Sequence, residues 1–258
     1  MNIIVCIKQV PDTETKLKLS ADGNSIDHGA VKWVINPYDE FAIEEALKLK
    51  EKLGSGTVTA VTVGPKARAV EVLRTALAMG ADSGVMIDSQ DELDSYLTAQ
   101  ALAAAIRQEP NAKIIFTGKL AIDDNASSVS QMLAEFLNLP HTTVVSKFTH
   151  EGEKATVERD ADGGNREVVE LSLPAVIAAN KGLNLPRYAS VTGIMKARKK
   201  PIKELSFQTL ELSDGQPKTH YESFQLPAER PAVKMLAGDP AQQTRDLVAL
   251  LKDEAKVL

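Results

Sequence analysis

Apolar residues between Asn2 and Leu139 come in short consecutive runs separated by stretches of helical period. NIIVCIK (Asn2–Lys8), GTVTAVTV (Gly56–Val63), GVMID (Gly84–Asp88) and KIIFTG (Lys113–Gly118) predict strands. Several are apolar on successive positions, as strands covered on both faces must be. Helices are predicted between them. The first has Asn36 as N-cap, Pro37 at its first position, Asp39 and Glu40 in its first turn and Gly54 at its close. Glu44 and Lys48, four apart, are expected on its outer face. Lys66–Met79 and Ser95–Arg107 follow, and SSVSQMLAEFL opens a helix after the polar turn AIDD. Strand and helix alternate, which predicts an α/β fold: a doubly wound, mostly parallel, Rossmann-like sheet with right-handed crossovers.

The pattern changes after Leu139. KATVERDADGGNREVVELSL (Lys154–Leu173) alternates on both sides of Asp162-Gly163-Gly164 and predicts a β-hairpin. LPAVIAA (Leu173–Ala179) is a further buried strand, followed by a proline-punctuated surface stretch to Val191. Lys196, Arg198, Lys199, Lys200 and Lys203 form a basic run. It reads either as a solvated face or as docking to an acidic protein surface. LSFQTLEL is a possible strand and Asp246–Leu258 a short amphipathic helix, with little local core around them. The expected organisation is a nucleotide-binding domain over residues 1–200, with the hairpin at 154–173, and an arm over 201–258 that lies on something else.

Composition narrows the function class. The 258 residues are 43% hydrophobic and 25% charged, ordinary for a globular protein. A net charge of −5 argues against broad nucleic-acid binding, and 4% aromatics against stacking on many bases. Cys6 stands alone in an apolar strand, so no disulfide framework is expected and a cytoplasmic setting is. The first residues lack the form of a signal peptide, and no window reaches transmembrane length.

The chemistry concentrates at Lys113–Leu139, where a strand opens through a polar loop onto a helix N-terminus. Such a junction is an anion site, because unpaired N–H groups and the helix dipole face it. It has neither a Walker lysine nor GxGxxG. Asp123 and Asp124 read as an acid–base pair or as a turn cap facing water. Ser127, Ser128, Ser130 and Gln131 read as phosphate partners or as ordinary N-capping. Asn36 to Glu40 is a second such junction, and Asn36 is expected to cap it. His28, His141, His150 and His220 lack ligand spacing, and no GxSxG elbow is present. The residues alone describe a nucleotide-binding α/β domain with a partner-seeking arm.

Over nearly its whole length the chain resembles the electron transfer flavoprotein beta subunit family. The resemblance rests on VCIKQVPDT (Val5–Thr13), INPYDEFAIEEALKLKE (Ile35–Glu51), RTALAMGAD (Arg74–Asp82) and GKLAIDDN with a downstream SQM (Gly118–Met132). It rests equally on VERDADGG (Val157–Gly164), LPAVIAA and NLPRYASVTGIMKARKK (Asn184–Lys200).

This resemblance implies an electron carrier without catalytic residues, paired with an alpha subunit that holds most of one FAD. Electrons would arrive from flavin dehydrogenases of acyl-CoA dehydrogenase type and leave to a membrane quinone oxidoreductase. A structural AMP would lie on Cys6, on Asn36, Pro37, Tyr38 and Asp39, and on Val63. It would also touch Leu120, Ala121, Ile122, Asp123, Asp124, Asn125, Ala126, Ser127, Ser128, Val129, Ser130 and Gln131. Tyr38 matches an aromatic near the flavin, and Asp160 an acidic position near the subunit interface. Residues 187–196 match a dehydrogenase-recognition loop: Arg187, Tyr188, Val191 as the anchoring position, Met195 and Lys196. The arm would pack on the alpha subunit. Three departures stand out: Ser128-Val129-Ser130-Gln131 where the family often shows QTGQ, Thr13 in place of a tyrosine, and Val191 in place of leucine. An electron-bifurcating relative with a second FAD in place of AMP is one alternative, and a stand-alone adenine-nucleotide sensor is another.

Overall fold

Ile3, Ile4 and Val5 are consecutive, apolar and fully buried, as befits a strand at the centre of a sheet covered on both faces. The computed structural model describes residues 1–89, 93–230 and 232–258. Its first strand is β1 (Asn2–Cys6), and β2 (Gln9–Pro11) and β3 (Trp33–Ile35) form a small antiparallel ribbon beyond it. Helix α1 (Pro37–Leu53), β4 (Thr57–Gly64), α2 (Lys66–Met79), β5 (Ser83–Asp88), α3 (Ser95–Ile106), β6 (Ala112–Gly118) and α4 (Val129–Leu137) complete the alternating half. Next come β7 (His141–Glu151), β8 (Lys154–Asp160), β9 (Arg166–Ser172), β10 (Ala175–Ala179), α5 (Val191–Ala197), β11 (Ile202–Ser206) and α6 (Pro240–Ala249).

Among the described residues nine strands make one sheet in the order β11-β5-β4-β1-β6-β10-β7-β8-β9. All pairings from β11 to β7 are parallel, and β7-β8-β9 continue as an antiparallel meander. The two-residue period of β1 sorts its side chains. Ile3, Val5 and Ile7 join α1 and α2 in one core, while Ile4 and Cys6 join α3 and α4 in the other. The result is helix, sheet, helix: the doubly wound α/β architecture that the alternation predicts.

The structure departs from the sequence reading in several places. Strands β7 and β2 have no counterpart in that reading, whereas β3 is the strand expected to lead into the Asn36 junction. Glu44 is not on an outer face: it is buried against residues 184–187, and Lys48 instead lies 3.9 Å from Glu45. A carboxylate tolerates that burial because Arg187 meets it in a bidentate pair. Ile202–Ser206, within the stretch expected as arm, pairs in parallel with β5 and extends the main sheet. The terminal helix starts earlier than expected, at Pro240 behind the N-cap Asp239, and runs into a π-helical turn at Leu250–Glu254. No described residue beyond Ala197 is fully buried.

Candidate functional site

The chain moves outward from β1 through α1 to β4 and β5, then returns through α3 to place β6 on the other side of β1. Ligands of open α/β sheets bind at such a reversal, outside the carboxyl ends of the strands. Cys6 ends β1 there with Lys8 two residues beyond, Val63 is the last residue but one of β4, and Gly118 ends β6. The N-termini of α1 and α4 close the crevice from opposite faces of the sheet. The two loop junctions found in the sequence therefore belong to one place.

A buried clasp ties them together. The carboxylate of Asp39 accepts from Lys8 N at 2.7 Å, Asn36 Nδ2 at 2.9 Å and Gly118 N at 3.0 Å. Asn36 also donates to Leu120 O at 2.9 Å and accepts from Ile122 N at 3.3 Å. Asn36 makes no side-chain cap on α1, contrary to the sequence reading, because its amide is spent on these cross-chain bonds. Gly118 is required by close approach: a Cβ there would lie 2.3 Å from Asp39 Oδ1 and 2.8 Å from Tyr38 Cβ. Burial pushes the Asp39 carboxyl up to about 7 against the pull of its donors. Burial, and secondarily the Asp39 charge, raises the Cys6 thiol, which is therefore a poor nucleophile.

The polar turn is held from β1. Lys8 Nζ lies 2.7 Å from Asp123 Oδ2 and 3.4 Å from Asp124 Oδ2. Asp124 Oδ1 accepts from Ala126 N at 3.0 Å, so the acidic pair is a turn-former whose charge Lys8 offsets in part. Asn125 and Ser127 adopt left-handed backbone with φ of 52° and 50°.

At α4 the four polar side chains separate. Ser130 is buried, with its Oγ 2.7 Å from Thr117 Oγ1 and 3.3 Å from Gly118 O. Its hydroxyl packs the helix onto β6. Ser128 is the N-cap residue but makes no side-chain cap. Gln131 Nε2 donates to Ser127 O at 2.8 Å, while its Oε1 is buried without a hydrogen-bond partner. Leu120, Ala121, Ile122 and Val129 contribute half-buried walls, and Lys119 Nζ lies 5.0 Å above the ring of half-buried Tyr38. Ala126, Ser128 and Met132 also line a cavity of about 310 Å³, roofed by Lys218, Thr219 and Tyr221.

Lys8, Thr117 and Lys119 were missed by the sequence reading. Lys8 was identifiable in principle, since it stands two residues past the first parallel strand, where such folds place ligands.

A second surface lies on the α1–α2 side. Tyr188, Val191 and Met195 are 98%, 77% and 67% exposed, and Leu185 is 90% exposed. Lys196 is exposed beside them. Arg187 is not free at this surface, since Glu44 and Glu51 engage its guanidinium. Among the described residues no group of three His, Cys, Asp or Glu side chains is arranged to hold a metal ion, and no helix is long and apolar enough to cross a membrane.

Known proteins share this chain's pattern from end to end. The family model described as "Electron transfer flavoprotein domain" matches residues 24–210. "Electron transfer flavoprotein subunit beta" of Bacillus subtilis is 44% identical with both chains fully covered. The Syntrophomonas wolfei protein of the same name is 40% identical over all of this chain and 98% of its own. The human one is 38% identical over all of this chain and 99% of its own. The chain belongs to the electron transfer flavoprotein beta subunit family. These relatives are named as subunits of electron transfer flavoproteins.

Proposed function

We propose that this chain is the AMP-holding subunit of a heterodimeric electron transfer flavoprotein, paired with an alpha subunit that carries most of one FAD. The single observation that carries the nucleotide reading is the convergence of Asn36–Asp39 with Leu120–Gln131 at the switch point, fastened by Asp39. Backbone N–H groups at the start of α4, which Ser128 leaves uncapped, suit a phosphate. The partnerless Gln131 Oε1 suits a ligand hydroxyl or amino donor. Lys8 offsets the negative turn that would otherwise repel the anion. Val63, Cys6 and the half-buried walls at Leu120–Ile122 supply apolar contact.

AMP in this reading stabilises the folded state by mass action and does no chemistry. FAD, when bound in the heterodimer, supplies the one-electron redox chemistry. The chain's own residues orient and exclude: Tyr38 with Lys119 presents an aromatic and a cation at the crevice mouth. The apolar group at Leu185–Met195 is the docking site for flavin dehydrogenases of acyl-CoA dehydrogenase type, with Val191 as anchor. A membrane quinone oxidoreductase is the second, transient partner. Residues 226–258, which expose Leu226, Val233, Met235 and Leu247, pack on the alpha subunit. The buried, lone Cys6 fits a reducing, cytosolic compartment.

The test is nucleotide identity and stoichiometry in the co-expressed heterodimer after denaturation and chromatography. One AMP and one FAD per heterodimer is the expected result. Two FAD and no AMP would move the chain to the electron-bifurcating branch. A soluble, monodisperse lone chain holding an adenine nucleotide would favour a sensor instead.

A further inference from the structure

The segment from Asn184 to Lys200 carries exposed apolar side chains on a backbone fixed at both ends. At its start, Asn184 Nδ2 donates to Phe41 O and Glu45 Oε2, both at 2.9 Å. Arg187 then spans two turns of α1. Its backbone N and Nε donate to Glu44 Oε2 at 3.1 and 2.7 Å, and a terminal nitrogen donates to Glu44 Oε1 at 3.0 Å. Two further bonds reach Glu51 at 2.7 and 3.3 Å.

The far end is held by reciprocal capping between α2 and α5. Lys200 Nζ donates to Leu77 O at 2.9 Å and Ala81 O at 2.6 Å, at the C-terminus of α2. Arg74 donates to Ala197 O and Lys200 O at the C-terminus of α5. In the middle, a Cβ on Gly193 would fall 2.4 Å from Ala78 O, so α5 rests directly on the α2 backbone.

Tyr188 is almost fully in solvent and Val191 largely so, and neither has packing of its own to hold it in place. The backbone that carries them is set by the packing of Ala189 and Ala197 on the core and by the polar anchors beneath it. Planar Arg187 directs four of its five guanidinium N–H donors at Glu44 and Glu51, so the fork that would grip a carboxylate of another protein is already engaged. We propose that Arg187 is a positioning residue: it touches no partner but pre-organises the Leu185–Met195 surface on α1, so that docking does not have to order the loop. This rests on the reading of that surface as the dehydrogenase site and reassigns Arg187 within it.

The experiment uses the heterodimer with the variants Arg187→Gln, Arg187→Lys, Glu51→Gln and Val191→Ala. Two quantities are read: amide hydrogen exchange over residues 185–197 without dehydrogenase, and flavin reduction as a function of acyl-CoA dehydrogenase concentration. Arg187→Gln should speed exchange in the segment by about tenfold. It should raise the half-saturating dehydrogenase concentration by about fivefold with the maximal rate unchanged. Arg187→Lys should fall between, and Val191→Ala should slow electron acceptance without altering exchange. Glu51→Gln, at an exposed position that leaves the Glu44 pair intact, gives a smaller change of the same kind and serves if Arg187→Gln does not fold. Normal half-saturation in the Arg187 and Glu51 variants, with Val191→Ala impaired, would overturn the positioning role while the docking reading stands. Normal electron acceptance in Val191→Ala and Arg187→Gln, with exchange accelerated, would overturn the docking reading itself.

Discussion

Gly118 and Asp39 meet at the centre of the crevice: the Gly118 N–H donates to Asp39 Oδ1 at 3.0 Å, and the glycine has no room for a side chain on that side. One contact thus joins the end of β6 to the start of α1, and with Lys8 N the end of β1 as well. The walls of the candidate nucleotide site are set by this clasp rather than by the loops that carry most of its residues.

Gly118→Ala should therefore damage the site more than its surface would suggest. Overpacking against Asp39 and the Tyr38 backbone costs about 1–3 kcal/mol. Both a lower denaturant midpoint and reduced AMP content in the purified heterodimer are expected. Wild-type AMP content in a stably folded variant would show that the clasp does not shape the crevice.

The Asp39 carboxyl titrates at about 7 in the folded chain against 3.8 for an ordinary aspartate, chiefly because it is buried. Its contribution to stability is fully present below pH 3.8 and is lost as pH rises through 7, since the buried group must then carry charge. Asp39→Asn lacks this dependence. The difference in denaturant midpoint between variant and wild type should shift in favour of the variant from pH 5 to pH 8. A constant difference across that range would refute the burial argument.

Removing the cation at the polar turn should affect ligand and fold differently. Lys8→Met breaks a half-exposed ion pair, worth at most about 1 kcal/mol of stability. It leaves Asp123 and Asp124 without their cation beside the start of α4, the proposed phosphate position. AMP retention through gel filtration should fall by about tenfold, with thermal stability of the nucleotide-free chain nearly unchanged. Equal retention would mean that the turn's charge is not felt by the ligand.

Asp94 fastens the segment after β11 onto the domain. Its carboxylate caps α3 through Leu97 N at 2.8 Å and also accepts from Lys218 N at 2.6 Å and Thr219 N at 2.9 Å. Asp214 completes the clasp with Lys218 Nζ at 2.6 Å, which holds that carboxyl down at about 2. Asp94→Ala should lose about 1 kcal/mol for the missing cap and expose residues 213–221 to limited proteolysis. Unchanged cleavage rates would show that other contacts retain the segment.

The alternating runs of the first half were readable in the sequence, because strands buried on both faces must be apolar at successive positions and helix ends need particular residues. NIIVC, KIIFTG and the Pro37 helix start follow from local chemistry alone. Strand β7 was not readable in the same way, since HTTVVSKFTHE is polar at many positions and becomes a strand only by pairing with β10 on one side and β8 on the other. The placement of Ile202–Ser206 at the sheet edge was likewise invisible, for it depends on β5 offering an open edge.

At the candidate site the sequence by itself singled out two segments that the fold brings together, Asn36–Asp39 and Leu120–Gln131, and tied the chain to its family. Only the tertiary structure decided what each side chain does there. Asn36 reads locally as a cap and Ser130 as a phosphate ligand, yet both spend their hydrogen bonds across the fold. Asp123 and Asp124 read as an isolated acidic pair until Lys8 is brought against them. Arg187 reads as a residue of the docking loop until Glu44 and Glu51 engage it. Local sequence fixes propensity and chemical type, but the partner of a polar group more than a hundred residues away is chosen by packing, because a buried donor or acceptor takes whatever complement the fold brings within 3 Å or so of it.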